Sequence, residues 1–277
     1  QSSSASFAPD LAAALSKAGV GVHSIGPTRV APVLYYERVE LPTDKKDEAP
    51  QSGAAGGLNA MRDETASAAP AEANEEIFNW GAVAMHAREA EAVNVKRAPV
   101  TVAVVDSGVE DTHPDLEGRV DTPRSVKCSV NGVATQDFYG WRDEFYHGTH
   151  VAGTIAAAHN AYGVDGVAPD ATIVAIKVSN EAGSFYPEYV ACGFDWAAEH
   201  DIDVTNSSYY MDPYAFWMPN EGSQAAGLEA ASRAIRYAKD LGVVSIAAEG
   251  NDNDDHDNPT VDTSSPNDVE GAAFTRD

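Results

Sequence analysis

The sequence predicts an α/β fold built on a doubly wound parallel sheet, and three observations carry that prediction. Unbroken apolar runs at PVTVAVVDSG (99–108), ATIVAIKV (171–178) and VVSIAAE (243–249) have the length and β-branched character of strands covered on both faces. Helical patterns separate them: one begins near His147, one runs through EYVACGFDWAAEH (188–200) and one through SQAAGLEAASRAIRYAKDLG (223–242). Finally, chemistry-bearing residues stand just past strand ends: Asp106, the trio Asn206-Ser207-Ser208, and Gly250-Asn251. Strand–helix alternation means right-handed βαβ units, and in such sheets ligands meet the carboxyl ends of the strands.

Taken in order, residues 1–46 read as a small N-terminal segment. Asp10 is placed to cap a short helix through LAAALSKA, with Gly19 in the left-handed position after it, and VLYYERVEL is rich in strand formers. Residues 47–75 are dominated by Ala, Gly, Ser, Pro and acids without an apolar period, so they are expected to be a linker. The main unit is expected over 76–277. It begins with a helix through AVAMHAREAEAV (82–93), then the strand ending at Asp106, the helix near His147, and the strand at 171–178. After the helix at 188–200 come a short strand at IDVTNS (202–207), a long amphipathic helix closed by Gly242, and a further buried strand at 243–249.

Composition limits the partners. The chain has 277 residues, 43% of them hydrophobic, enough for a sizeable core. Its formal charge of −25 repels nucleic acid and anionic membrane surfaces, and no apolar run approaches the ~20 residues of a membrane span. The chain starts at Gln1 and lacks a basic start with an apolar core behind it, which reads as a processed, secreted protein. Cys128 and Cys192 allow one disulfide or two buried thiols.

The histidines of FYHGTHVAGTIAAAHN (145–160) raise the question of chemistry. His147 and His150 lie on one helical face and suggest a zinc pair, but zinc needs a third ligand and no HExxH motif is nearby. An Asp at a strand end and a His at a helix start can instead be the orienting and base members of a hydrolytic triad. Five segments, TVAVVDSGVEDTHPDL (101–116), HGTHVAGTIAA (147–157), GVAPDATIVAIKV (166–178), VTNSS (204–208) and AAEGN (247–251), together resemble the subtilisin-like serine protease family, in the family's own order.

The resemblance implies a subtilisin-type sheet and peptide-bond hydrolysis. It assigns Asp106 as the triad aspartate, His147 as the general base and Asn251 as the oxyanion-hole donor. A polypeptide substrate is expected to pair with Ser208, beside Tyr209, Tyr210 and Gly250, and with an opposing edge at Gly183-Ser184-Phe185. His150 is then a helix residue packed next to the site, and His113 belongs to the His-Pro-Asp-Leu motif. A structural calcium ion is implied at Asp115 and Asn160, with carbonyls of Ala158, Tyr162 and Val164 and the side chain of Glu76. The acidic run NDNDDHDN (251–258) is expected to be a solvated loop.

The family's Gly-Thr-Ser-Met-Ala-x-Pro nucleophile motif does not occur in these residues. Ser264 and Ser265, in DTSSPND, are expected to be loop residues, and a complementary C-terminal fragment is expected to bring the serine. The segment 1–75 stands where such proteases carry an inhibitory prodomain. A peptide-binding module that does not cut is the alternative reading.

Overall fold

The computed structural model describes residues 80–93, 98–160, 163–251, 261–262 and 274–275. The expected helix and strand of 1–46 and the linker at 47–75 lie outside these residues.

Five parallel strands form the sheet, in the order β2-β3-β1-β4-β5. They are β1 (Thr101–Asp106), β2 (Val126–Lys127), β3 (Thr172–Lys177), β4 (Val204–Ser207) and β5 (Val244–Ala247). Strand β1 pairs with β3 on one side and with β4 on the other, and Val102 to Val105 are buried. The chain winds outward from β1 to β2 and β3, then crosses to β4 and β5. The carboxyl end of β1 is therefore the point where the winding reverses, the crevice in which α/β sheets take ligands. Asp106 occupies it.

Both faces of the sheet are covered, which is why the strands read as apolar runs rather than as alternating ones. One face holds helix α3 (His147–Ala156), whose Ala152 and Ala156 pack with Val102, Val104, Ile173 and Ala175. The other holds α4 (Pro187–Glu199) and α5 (Ala225–Asp240). There Val190, Phe194 and Ala197 of α4 meet Ala231, Ala234 and Ala238 of α5 over Val105, Val174 and Ile176. Small α5 side chains bring the two helices close, and each fully buried Val or Ile contributes about 1.5–3 kcal/mol. A disulfide joins Cys128, just past β2, to Cys192 on α4, with Cα atoms 5.8 Å apart. That settles the two alternatives left by the sequence.

Two expectations need correction. The helix expected over 82–93 is broken into α1 (Trp80–Ala84) and α2 (Ala87–Ala92), because His86 turns left-handed at φ 56 between them. Of its side chains only Ala82 and Ala87 are buried, too narrow an apolar stripe to hold one continuous helix. The strand expected to be buried at 243–249 forms, but Val244 and Ile246 are 54% and 51% exposed. Side chains on both faces of β5 are exposed, so the described residues leave its faces uncovered; it pairs with β4 and with no other described strand. A short antiparallel pair, Val261–Asp262 with Phe274–Thr275, stands apart from the main sheet.

Candidate active site

Asp106 ends β1 wholly buried, where an unpaired carboxylate is costly. One of its oxygens, Oδ1, accepts the Ser107 backbone N–H at 2.6 Å and pairs with His147 Nδ1 at 2.8 Å. Among the described residues its Oδ2 has no partner. Burial pushes the Asp106 carboxyl upward, opposed by its bond to His147, and that same bond raises the imidazole of His147 against the effect of its own burial. A carboxylate acceptor requires the proton on Nδ1, so Nε2 is left with its lone pair. His147 is the first residue of α3, where helix N–H groups disfavour imidazolium, and Asp106 supplies the compensating charge. The arrangement can take up a proton at Nε2 and hold the resulting cation.

The approach of strand end and helix start depends on two glycines. A Cβ on Gly148 would lie 2.1 Å from the Gly108 carbonyl oxygen, so any side chain there would push α3 off β1. Gly108 itself turns at φ +112 against the Trp141 carbonyl.

A second carboxylate holds the site from behind. Asp143 Oδ1 accepts Ser107 Oγ at 2.8 Å and Phe145 N–H at 2.9 Å. Its Oδ2 accepts the N–H and hydroxyl of Thr149 at 2.9 and 2.6 Å. Ser107 Oγ in turn accepts Gly148 N–H, and Thr149 Oγ1 accepts Glu110 N–H, both at 3.0 Å. Asp143 therefore clamps the turn after β1 to the first turn of α3, on either side of the Asp106–His147 bond. Beneath it lies Lys177, 1% exposed and the register partner of Asp106. Its ammonium donates to the Arg142 carbonyl and to Glu144 Oε2, both at 3.0 Å. Sequence reasoning missed Asp143; its signal was a carboxylate one helical turn before the histidine.

The residues expected to take substrate line two segments. Ser208 follows β4 and its Oγ accepts from Asn206 Nδ2 at 2.9 Å. The Tyr209 ring stacks on Phe185 with centroids 4.4 Å apart and planes 6° off parallel, joining the segment after β4 to Gly183-Ser184-Phe185. Tyr210 is half-buried. Gly250 turns at φ 94 after β5, and exposed Asn251 follows it, at the same carboxyl edge of the parallel sheet as Asp106. His150 is exposed rather than packed, because α3 shows that face to solvent among the described residues. No group of three His, Cys, Asp or Glu side chains near enough for a metal occurs among them either.

Asp115 is 4% exposed in a short 3-10 turn (Pro114–Leu116), and its N–H donates to His113 Nδ1 at 3.2 Å. Asn160 Nδ2 lies 3.2 Å from its Oδ1, and Val164 N–H 3.3 Å from its Oδ2. Its backbone carbonyl accepts Ala158 N–H at 2.9 Å. The buried Asp115 carboxylate is thus met by N–H groups of Asn160 and Val164 inside the loop that follows α3, and its oxygens are the hard donors that a calcium ion there would need. Glu76 and Tyr162, the other expected ligands, lie outside the described residues, as do Ser264, Ser265 and the acidic run beyond Asn251.

Fold and site together define an α/β protein that holds a carboxylate-bound imidazole at the switch point of a parallel sheet. Comparison with known proteins narrows this: the chain belongs to the subtilase family, whose model matches residues 97–272. Subtilisin E of Bacillus subtilis (strain 168) is 34% identical over 180 residues, covering 65% of this chain and 40% of that protein. Fervidolysin of Fervidobacterium pennivorans is 35% identical over 190 residues, covering 65% and 25% respectively. Subtilisin Savinase of Lederbergia lenta is 37% identical over 172 residues, covering 62% and 55%. Among solved structures, the nisin leader peptidase NisP from Lactococcus lactis matches with a TM-score of 0.50 and 28% identity, over 59% of this chain and 47% of that one. The chain thus spans between 25% and 55% of the lengths of these curated relatives.

Proposed function

We propose that the protein is a subtilisin-type serine endopeptidase, and that these residues supply all of its catalytic groups except the nucleophile. The observation that carries this reading is the 2.8 Å bond between Asp106 and His147 at the carboxyl end of the central strand. His147 Nε2 takes the proton of an incoming serine and returns it to the leaving amine, while Asp106 fixes the tautomer and stabilises the imidazolium. The Asn251 amide donates to the oxygen that becomes negative in the tetrahedral intermediate. The serine comes from polypeptide outside these 277 residues, so the residues by themselves do not hydrolyse peptides. Residues 1–75 act as an inhibitory prodomain in this reading.

Calcium belongs to the same proposal. Asp115, Asn160 and the carbonyls of Ala158 and Val164, with Glu76 and Tyr162, would hold it and so pin the loop behind the catalytic helix. Its chemistry there is structural. Secretion fits the disulfide, and no helix among the described residues is long and apolar enough to cross a membrane.

The test is labelling of the full-length protein by a fluorophosphonate. The expected result is stoichiometric labelling that His147→Ala abolishes. A folded, serine-bearing protein that takes no label would refute the proposal and favour a peptide-binding module that does not cut.

A further inference from the structure

The expected second wall of the peptide cleft has already spent its backbone hydrogen bonds within the protein. Gly183 N–H donates to the Asn180 carbonyl at 3.0 Å. Ser184 N–H donates to Asn180 Oδ1 at 3.0 Å, and the Ser184 carbonyl accepts Asn180 N–H at 3.0 Å. Phe185 N–H donates to Asp212 Oδ2 at 2.6 Å, and the Phe185 carbonyl accepts Asp212 N–H at 2.8 Å. Among the described residues, the Gly183 carbonyl is what remains without a bond. Asp212 is 5% exposed, and its Oδ2 holds Phe185 N–H inside the protein. The Phe185 ring, 3% exposed, lies flat against Tyr209 and fills the space between the two walls.

We propose that Asp212 is a specificity-determining residue that closes the outer end of the substrate cleft. A peptide can add as a strand only where an edge offers unpaired N–H and C=O groups. For a substrate to pair with Phe185, its carbonyl would have to displace Asp212 Oδ2 from Phe185 N–H and its N–H would have to displace Asp212 N–H from the Phe185 carbonyl, so two bonds already made inside the protein must break. The substrate is therefore gripped along the Ser208–Tyr210 side and, across the cleft, at most by the Gly183 carbonyl. Recognition on the acyl side of the scissile bond is short, and the protease takes substrates whose extended outer residues need no binding. This inference rests on the peptide-cleaving function proposed above.

Two measurements on the full-length protein test it. In the first, kcat/KM is measured for peptides extended one residue at a time on the acyl side. The expected gain from the third to the fifth residue is under about threefold, and the same gain in Asp212→Ala is tenfold or more, since Phe185 N–H becomes available. A tenfold gain in the parent protein overturns the proposal. The second measurement is hydrogen exchange at the Phe185 amide, which needs no catalysis and no variant. Slow exchange in the parent supports the clasp; exchange at the rate of an open loop overturns it, whatever the activity. A protein that cuts no peptide and takes no fluorophosphonate sinks the protease reading, and the exchange rate then decides the Asp212 clasp alone.

Discussion

Asp143 gives the sharpest test of how the site is held together. In Asp143→Asn the side chain keeps its shape, one acceptor oxygen and its place, but the new amide nitrogen cannot accept. Two of its four bonds are lost, either those from Ser107 and Phe145 or those from Thr149. A hydrogen bond to a charged group contributes roughly 1.5–3 kcal/mol, and partial solvent access reduces that to about 1 kcal/mol for each bond here. Loss of a negative charge beside the N-terminus of α3 adds about 0.3–1 kcal/mol. The expected destabilisation is about 2–3 kcal/mol for Asn and about 4–5 kcal/mol for Ala, read as the urea midpoint at constant m-value. A double-mutant cycle of Asp143→Ala with Ser107→Ala should return a coupling of about 1 kcal/mol, because the two side chains bond directly. Loss of less than about 0.5 kcal/mol for Asp143→Ala, or strict additivity in the cycle, would refute the clamp.

His147 should titrate above the usual ~6.5 for histidine in an NMR pH series, and Asp106→Asn should lower it, because burial and the helix N-terminus are then opposed only by the nearby Asp143 charge. With the folded value raised, the pair's contribution to stability is complete below about pH 6.5 and is lost as pH rises through the raised value. A parent His147 that titrates below 6.5 would contradict the assignment. Reduction of Cys128–Cys192, which closes a sequence separation of 64, should lower stability by about 4 kcal/mol on the chain-entropy estimate, checked by denaturation with and without reductant. Chelation by EDTA should lower the melting temperature of the parent protein and leave Asp115→Ala unmoved; equal sensitivity in both would remove calcium from that loop.

The fold was largely legible because its determinants are local. Apolar runs closed by Asp-Ser-Gly or Glu-Gly-Asn mark buried strands, and periods near 3.6 mark α4 and α5 within two residues of their observed ends. The pairing of Asp106 with His147 was legible through the two motifs that carry them, since each is a short segment with its chemistry inside it. Other features were not. Whether VVSIAAE is covered depends on what packs on its two faces, and apolarity alone cannot report that. His150 shares its motif with His147, yet its exposure depends on which neighbours reach that face of α3.

By itself, then, the sequence determined the fold class, the order of strands and helices, the family and the two motifs that carry Asp106 and His147. Only the tertiary structure decided the disulfide, the Asp143 clamp and the Asp212–Phe185 clasp, which join residues 64, 36 and 27 positions apart. The physical reason is that periodicity and capping act within a few residues, whereas these bonds exist only after packing of the sheet and its helices has brought distant loops to one edge.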